Sequence, residues 1–538
     1  MTKRSPLRTS LLSLAGVGGA AIATVALFAL AFIPQPQLRL APLGLTINPV
    51  AATPTKVCPG GLVDVITYKS DATTFAGFAA PDINAVAIGA TSTITPVDAP
   101  DNIATSADVL PQLITVPAST SDTPNVIAAT QSQETTSDVI AGLAAANCGE
   151  ASTDQWLVGG STVVGQTSLL FLTNALNVES LVDVQIFTEN GRVDAPGMSA
   201  IVVGPHSQRI LSLAAFAPDV SEPVVHVVTT GGQIFASIQQ SVTRVIVPSG
   251  VELITPGAGL ATRHIIPGVA LVGQAQQDSE GGQVTSDLAP AIRVAIPGQV
   301  GAEVTATVRD TEGTEFVVKA NVAGGHSIQL PFAGVPDGFY TVIVTADVPV
   351  VAGVRTIQAA GIAPLPLPDE NGKPTPSPTP SRTSPLGAGA SAAPTASPTT
   401  APPSNGSAAG SDGGSSGLTG VLNPSNVGGD FTWNAAAFQL TADTLIPIPE
   451  GRHPTLFLYN PADAEVTVSL FSGEKQWKSV RVTPGRTVVL ELQPGMDLRV
   501  KEPAGIFASV SLRGSGYGSA FVVSPITRLG SSVLVYPR

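Results

Sequence analysis

The feature that most constrains this chain is an internal repeat of short alternating segments. LLFLTN (169–174), LVDVQIFTENGR (181–192), AIVVGPHSQRILSL (200–213), VVHVVTTGG (224–232) and QIFASIQ (233–239) recur in the same order as LFLYNP (456–461), EVTVSLFSGEK (465–475), VRVTPGRTVVLEL (480–492), DLRVKEPAG (497–505) and GIFASVSL (505–512). Val184 aligns with Val468 at an offset of 284 and Ile234 with Ile506 at 272, so the two copies differ by only 12 residues of loop. A weaker copy lies between them: EVTATVRDTEGT (303–314), VVKANVAGGHSIQL (317–330) and FYTVIVTADVPV (339–350).

Within each copy apolar and polar residues alternate, as in Val182-Asp183-Val184-Gln185-Ile186 and Val466-Thr467-Val468-Ser469-Leu470. Successive side chains of a strand point to opposite faces, so this period buries one face and wets the other. Gly or Asn supplies the positive φ of the intervening turns, at Glu189-Asn190-Gly191, Thr311-Glu312-Gly313, Ser472-Gly473-Glu474 and Pro484-Gly485. About seven short strands per ~100 residues predict tandem antiparallel β-sandwiches of immunoglobulin or fibronectin III character. Only 5% of residues are aromatic, and Val, Thr, Ala, Gly and Pro are abundant, which fits strands and turns better than helical bundles. The expected organisation is a cytoplasmic N-terminus (1–10), a transmembrane anchor (11–33), a juxtamembrane segment (34–57) and a mainly β module (58–150). Sandwiches over 151–265 and 266–363, a disordered linker over 364–425 and a last sandwich over 426–538 follow. Residues 58–150 fit the alternation less well, and Ser137 to Ala146 reads as a helix.

Leu11 to Ile33 is 23 residues without a charge, about 35 Å as a helix, enough to cross a bilayer once. Lys3, Arg4 and Arg8 precede it with no acidic residue, which keeps the N-terminus cytoplasmic and sends residues 34–538 outside. The alternative is a cleaved secretory signal, but the nearest small-residue site, Val50-Ala51-Ala52, is far downstream of the apolar run. Cys58 and Cys148, the only two cysteines, lie on the oxidising side and are expected to form a disulfide that closes a loop of about 90 residues, worth roughly 4–5 kcal/mol in the chain-entropy model.

The linker stretch contains KPTPSPTPSRTSPLGAGASAAPTASPTTAPPSNGSAAGSDGGSSG, with too few large apolar residues to build a core. Gly413–Gly417 in it matches G-x-S-x-G, but a nucleophile elbow needs a strand before it and a helix after it.

From residue 40 onward 22 basic residues face 39 acidic ones, a net of −17, which argues against nucleic acid as a partner. Residues 58–150 hold ten acidic residues and the single base Lys69, whereas 427–538 hold nine acidic and ten basic. The last module therefore carries the candidate surface for an anionic polymer, on Lys475, Lys478, Arg481, Arg486, Arg499, Lys501 and Arg513. Trp156 and Trp433 precede modules and are expected to pack at junctions; Trp477, in Gly473-Glu474-Lys475-Gln476-Trp477-Lys478, reads as turn-exposed and is the candidate ligand contact.

WLVGGSTVVGQTSLLFLTN (156–174), the modules after it, GDFTW (429–433) and the single N-terminal anchor resemble the membrane-anchored actinobacterial family catalogued as domain of unknown function 5719. The resemblance implies an actinobacterial cell-envelope protein and carries over no catalytic residues. The residues give no H-E-x-x-H, C-x-x-C, calcium loop, P-loop or G-x-G-x-x-G after a strand, so no cofactor and no metal are expected. His206 and His326 occupy equivalent turns, where a polar turn residue explains them better than a metal ligand. The function expected is structural or interaction-based, with partners among envelope proteins. A glycan- or peptidoglycan-binding accessory is the first alternative, and a hydrolase with paired carboxylates is the second.

Overall fold

The computed structural model describes residues 45–47, 53–65, 74–104, 106–119, 124–244, 246–273, 289–359, 364–368, 373, 429–525 and 533–535. The anchor expected at 11–33 and most of the segment expected as a linker lie outside them. The described residues are all-β apart from one 3-10 turn at Leu213–Ala215, and every ladder is antiparallel. Among them no helix is long and apolar enough to cross a membrane.

The chain divides into two compact units, residues 51–529 and residues 1–50 with 530–538. In the smaller, Leu45–Ile47 pairs with Val533–Val535.

The larger unit begins with three small sheets held by the Cys58–Cys148 disulfide. Their last strand, β1 (Ala141–Asn147), occupies the region that the sequence reads as a helix. Alanines favour a helix on propensity, but here their small size decides the outcome. Leu143 and Ala145 enter the core of the last sandwich and Ala144 and Ala146 a core of the first, so both faces of one strand are buried. Tertiary packing overrides propensity in this way when no larger side chain would fit.

Three sandwiches follow, and each repeats one topology. In the first, the eight strands in chain order are Asp154–Val158, Gln166–Asn174, Ser180–Thr188, Ile201–Val203, Ser207–Ser212, Val224–Thr230, Phe235–Arg244 and β2 (Val247–Ile254), with Gly191–Arg192 an added short pairing. One sheet orders them first, sixth, third, fourth; the other fifth, second, seventh, eighth. The middle sandwich opens with Ala261–Leu271, Ala291–Ile296, Ala302–Asp310, Glu315–Val322 and His326–Pro331. Its sixth and seventh strands are fused into β3 (Gly338–Ala359), whose two halves serve opposite sheets. Its eighth strand is β4 (Gly429–Ala435), paired with Gly353–Ala359. The last sandwich comprises Thr444–Pro447, Thr455–Tyr459, Val466–Ser472, β5 (Lys475–Val482), Thr487–Glu491, Asp497–Lys501, Phe507–Gly514 and β6 (Tyr517–Val522), in the same sheet orders.

The equivalence extends to single hydrogen bonds. Asn174 Nδ2 donates to Val178 O and Val203 O while its Oδ1 accepts from Leu176 N. Asn460 makes the same three bonds with Ala464, Val482 and Ala462.

This topology corrects the expected division of the chain. The boundary at 265/266 falls within the strand Ala261–Leu271. The last sandwich does not hang on a tether, because β4 completes the middle sandwich and Leu365 and Leu367 pack against Phe339, Phe457 and Val489. Nor are the modules strung out. Arg293 of the middle sandwich donates to Gly160 O, Pro223 O and Ser221 O of the first at 2.8–3.0 Å. Ser509 of the last donates to Pro267 O at 2.9 Å, and Arg452 forms a two-bond ion pair with Glu134 of the N-terminal sheets. A protease site inserted between residues 374 and 428 and then cut is therefore expected to leave the two fragments co-eluting on size exclusion without denaturant; separation into free halves would restore the tether.

Candidate functional site

The most exposed tryptophan stands on β5. This strand pairs with Val466–Ser472 through a register shift between Leu470 and Phe471: Lys478 faces Leu470 and Gln476 faces Phe471, which leaves Trp477 as the extra residue of a β-bulge. A bulge twists its strand and re-aims the side chain it carries. Trp477 is 40% exposed, whereas Trp156 and Trp433 are 4% and 3% exposed. It thus belongs to a strand and not to the turn expected from the sequence.

Trp477, Lys478 and Arg481 line a groove of about 860 Å³. The lining continues through Arg486 to Glu491 of the same sandwich and is joined by two segments far away in sequence, the turn Thr311–Glu312 of the middle sandwich and Leu367–Pro368. Glu312, Glu465 and Glu491 place three carboxylates in the same lining as Lys478, Arg481 and Arg486. The sequence singles out Trp477, Lys478, Arg481 and Arg486 but not Thr311–Glu312 or Leu367–Pro368, because nothing local signals which turn packs beside which strand.

The wider basic surface expected on the last module contracts. Lys475 is exposed on β5 but does not line the groove. Arg499 pairs with Asp443 at 2.7 Å, and Lys501 sits over the Phe471 ring at 4.0 Å. Arg513 is a correction: it lies over the Phe339 ring at 4.4 Å, donates to Thr455 Oγ1 and is buried, which lowers its pKa to about 10. The five histidines stay apart. His226 stacks on Trp156 at 3.9 Å and burial pushes it down; His264 is buried against Val350 O; His206 contacts Asn177 and His326 bonds Gly324 O. Among the described residues no group of three His, Cys, Asp or Glu side chains could hold a metal ion.

The most perturbed titrating groups sit where β1, β2, β4 and β6 meet. Asp430 Oδ2 accepts from Leu143 N (2.7 Å) and Gly518 N (3.2 Å), and its Oδ1 from Phe431 N (3.0 Å) and Val251 N (3.1 Å). The carboxylate approaches so closely that Gly142 (φ 148°) and Gly250 (φ 118°) must lack side chains; a Cβ would stand 2.9 and 2.8 Å from Oδ1. Glu252 lies beside it, its Oε1 2.6 Å from Ser519 Oγ and 3.0 Å from Leu253 N. Burial drives both up, Asp430 to about 8 and Glu252 well above the ordinary carboxylate range, with Asp430 also raising Glu252. Four N–H donors favour the ionised form of Asp430, as Ser519 Oγ, Leu253 N and Trp433 N do for Glu252, but burial outweighs these bonds and favours the neutral form of both.

Since both folded-state values are raised, this stability is full below the unfolded values near 4 and is lost as pH rises through about 8. Thermal melts should show the midpoint falling between pH 5 and pH 8.5, with Glu252→Gln flattening that slope. Asp430→Asn, which turns an NH2 toward backbone donors, should cost about 3 kcal/mol or more in denaturant titrations. A pH slope unchanged in Glu252→Gln would contradict this assignment.

A family model described as "Family of unknown function (DUF5719)" matches residues 103–395, which include the first sandwich and the middle one as far as β3, whereas GDFTW and the last sandwich lie beyond the match. No curated protein matches. One solved structure, "Crystal structure of tetra-tandem repeat in extending region of large adhesion protein", shares 10% identity over 87% of this chain and 98% of its own, with a TM-score of 0.11, too low to carry an argument.

Proposed function

The chain belongs to the Family of unknown function (DUF5719), and from that premise, which assigns no chemistry, we propose that it is a membrane-anchored, extracytoplasmic and non-catalytic interaction protein of an actinobacterial cell envelope. The charge-free run 11–33 behind Lys3, Arg4 and Arg8 supports anchorage. Pairing of Leu45–Ile47 with Val533–Val535 supports an uncleaved anchor, because removal at Val50-Ala51-Ala52 would delete one of those strands. The Cys58–Cys148 bond suits an oxidising compartment. The strongly shifted carboxylates are sealed from any substrate, at 0% and 1% exposure for Glu252 and Asp430.

We also read the sandwiches as immunoglobulin-like in part. Pairing of the second strand with the fifth and the third with the sixth matches the B–E and C–F neighbours of that fold, while the first, fourth and seventh strands each stand in the sheet opposite to the usual one.

The observation that carries the interaction reading is a repeated junction with one open end. The turn between the third and fourth strands of the first sandwich brings Gly191 against His326 of the middle one, and the equivalent Gly313 lies against Arg486 of the last. The corresponding turn of the first sandwich meets the N-terminal sheets through its backbone and an ion pair, while the His206 side chain stays exposed: Asp98 N donates to His206 O at 3.1 Å and Asp101 pairs with Arg209 at 2.8 Å. At the other end, among the described residues nothing lies within 4 Å of where a side chain would start on Gly473. Two contacts of one kind are thus filled, and the turn Ser472-Gly473-Glu474 offers a third. A photo-crosslinking residue at Glu474 should form an envelope adduct in intact cells that the same residue at Val300, 70% exposed on another turn, does not. Equal labelling at both positions would defeat this reading, and digestion of residues 40–538 failing in protease-treated cells would defeat the topology.

A second reading, a glycan-binding accessory of envelope polymer assembly, is favoured by Trp477, which the β-bulge turns into the groove.

A further inference from the structure

The groove beside β5 also discriminates among ligand chemistries. We propose that it binds an uncharged, extended polysaccharide, with a sugar ring stacked on Trp477; this rests on the glycan reading above and names its ligand class.

Three features point the same way. Trp477 offers an indole face at 40% exposure in an element held by hydrogen bonds on one side, so little side-chain or backbone ordering is required when a ring stacks on it. The surrounding charge is balanced, Lys478, Arg481 and Arg486 against Glu312, Glu465 and Glu491. A polyanion threading the groove would meet three carboxylates and a polycation three cations, each a like-charge juxtaposition costing affinity. A polyol suffers neither penalty, since its hydroxyls donate to carboxylates and accept from guanidinium and ammonium groups. Finally, the volume of about 860 Å³ lies toward the upper end of ordinary ligand sites, which suits several linked rings better than one small molecule. The half-buried Leu367 contributes apolar lining for the C–H faces of those rings.

The test uses the full chain in detergent micelles, run on native gels cast with arabinogalactan, mannan or hydroxyethyl cellulose, and in parallel with polygalacturonate. At least one neutral polymer is expected to retard the protein, with the apparent dissociation constant rising about tenfold in Trp477→Ala and unchanged in Lys475→Ala, which lies outside the groove lining. Bound polymer should also shield tryptophan fluorescence from acrylamide in the wild type alone, Trp156 and Trp433 being buried. A matching melting midpoint for Trp477→Ala keeps the comparison valid; if that variant is unstable, Trp477→Phe and Arg481→Ala replace it. Retardation that ignores Trp477, or none by any neutral polymer, overturns the proposal. Trp477-dependent retardation by polygalacturonate alone overturns the uncharged class while leaving a glycan groove in place, and none of these outcomes touches the crosslink expected at Glu474.

Discussion

A single carboxylate ties this fold together. Asp430 receives N–H groups from four strands, one each from the N-terminal sheets and the three sandwiches, its own strand included. A carboxyl group wholly removed from water is costly unless its oxygens are hydrogen-bonded. Both oxygens are, by four backbone donors whose positions depend on the strands being correctly seated. The hydrogen bonds therefore act as a registry device: a slip of any strand would leave a buried acceptor short of a partner. Glu252 extends the same cluster, joining β2 to Ser519 on β6.

Around this point the eighth strands of the three sandwiches converge, which explains why equivalent strands play unequal roles in the sequence. β2, β4 and β6 occupy the same place in one topology, yet only β4 carries the acidic residue that all of them share. β4 also supplies Phe431 and Trp433 to the core of the first sandwich, where the Trp433 indole donates to Gln240 and lies under the Arg293 guanidinium at 4.6 Å. Arg293 is itself fully buried and lowered to about 9 by that burial, so its three carbonyl partners and the indole face compensate for lost hydration.

Much of this was legible in the alternation of the chain, and the exceptions have physical causes. Strands with one wet face, such as Ser180–Thr188 and Val466–Ser472, announce themselves with period two, and the repeat found in the sequence corresponds strand for strand to the first and last sandwiches. β1 has no wet face, so its period is hidden and its alanines read as helix. The middle sandwich was only partly recognised because its sixth and seventh strands run together without a turn and its eighth lies beyond a compositional break. A Pro- and Ser-rich stretch looks like a boundary between domains, whereas this one separates two strands of the same sheet. The groove residues on β5 were found because exposure and bulky chemistry coincide locally; Glu312 and Pro368 arrive through packing that no local pattern encodes.

The late position of β4 bears on how the protein reaches this state. Until residue 435 has emerged, the middle sandwich lacks its last strand, the first lacks Phe431 and Trp433 from its core, and β1 lacks the carboxylate that fixes Leu143. The contacts that close these gaps join residues far apart in sequence; Leu143 N to Asp430 alone spans 287 positions. Such pairings carry a loop-closure cost before they return any stabilisation, which places them late in folding. The disulfide at Cys58–Cys148 acts earlier and locally, holding together the sheets that present β1. A chain synthesised from its N-terminus would thus keep a prepared but open seat for β4, and the last sandwich would close over it as β6 arrives.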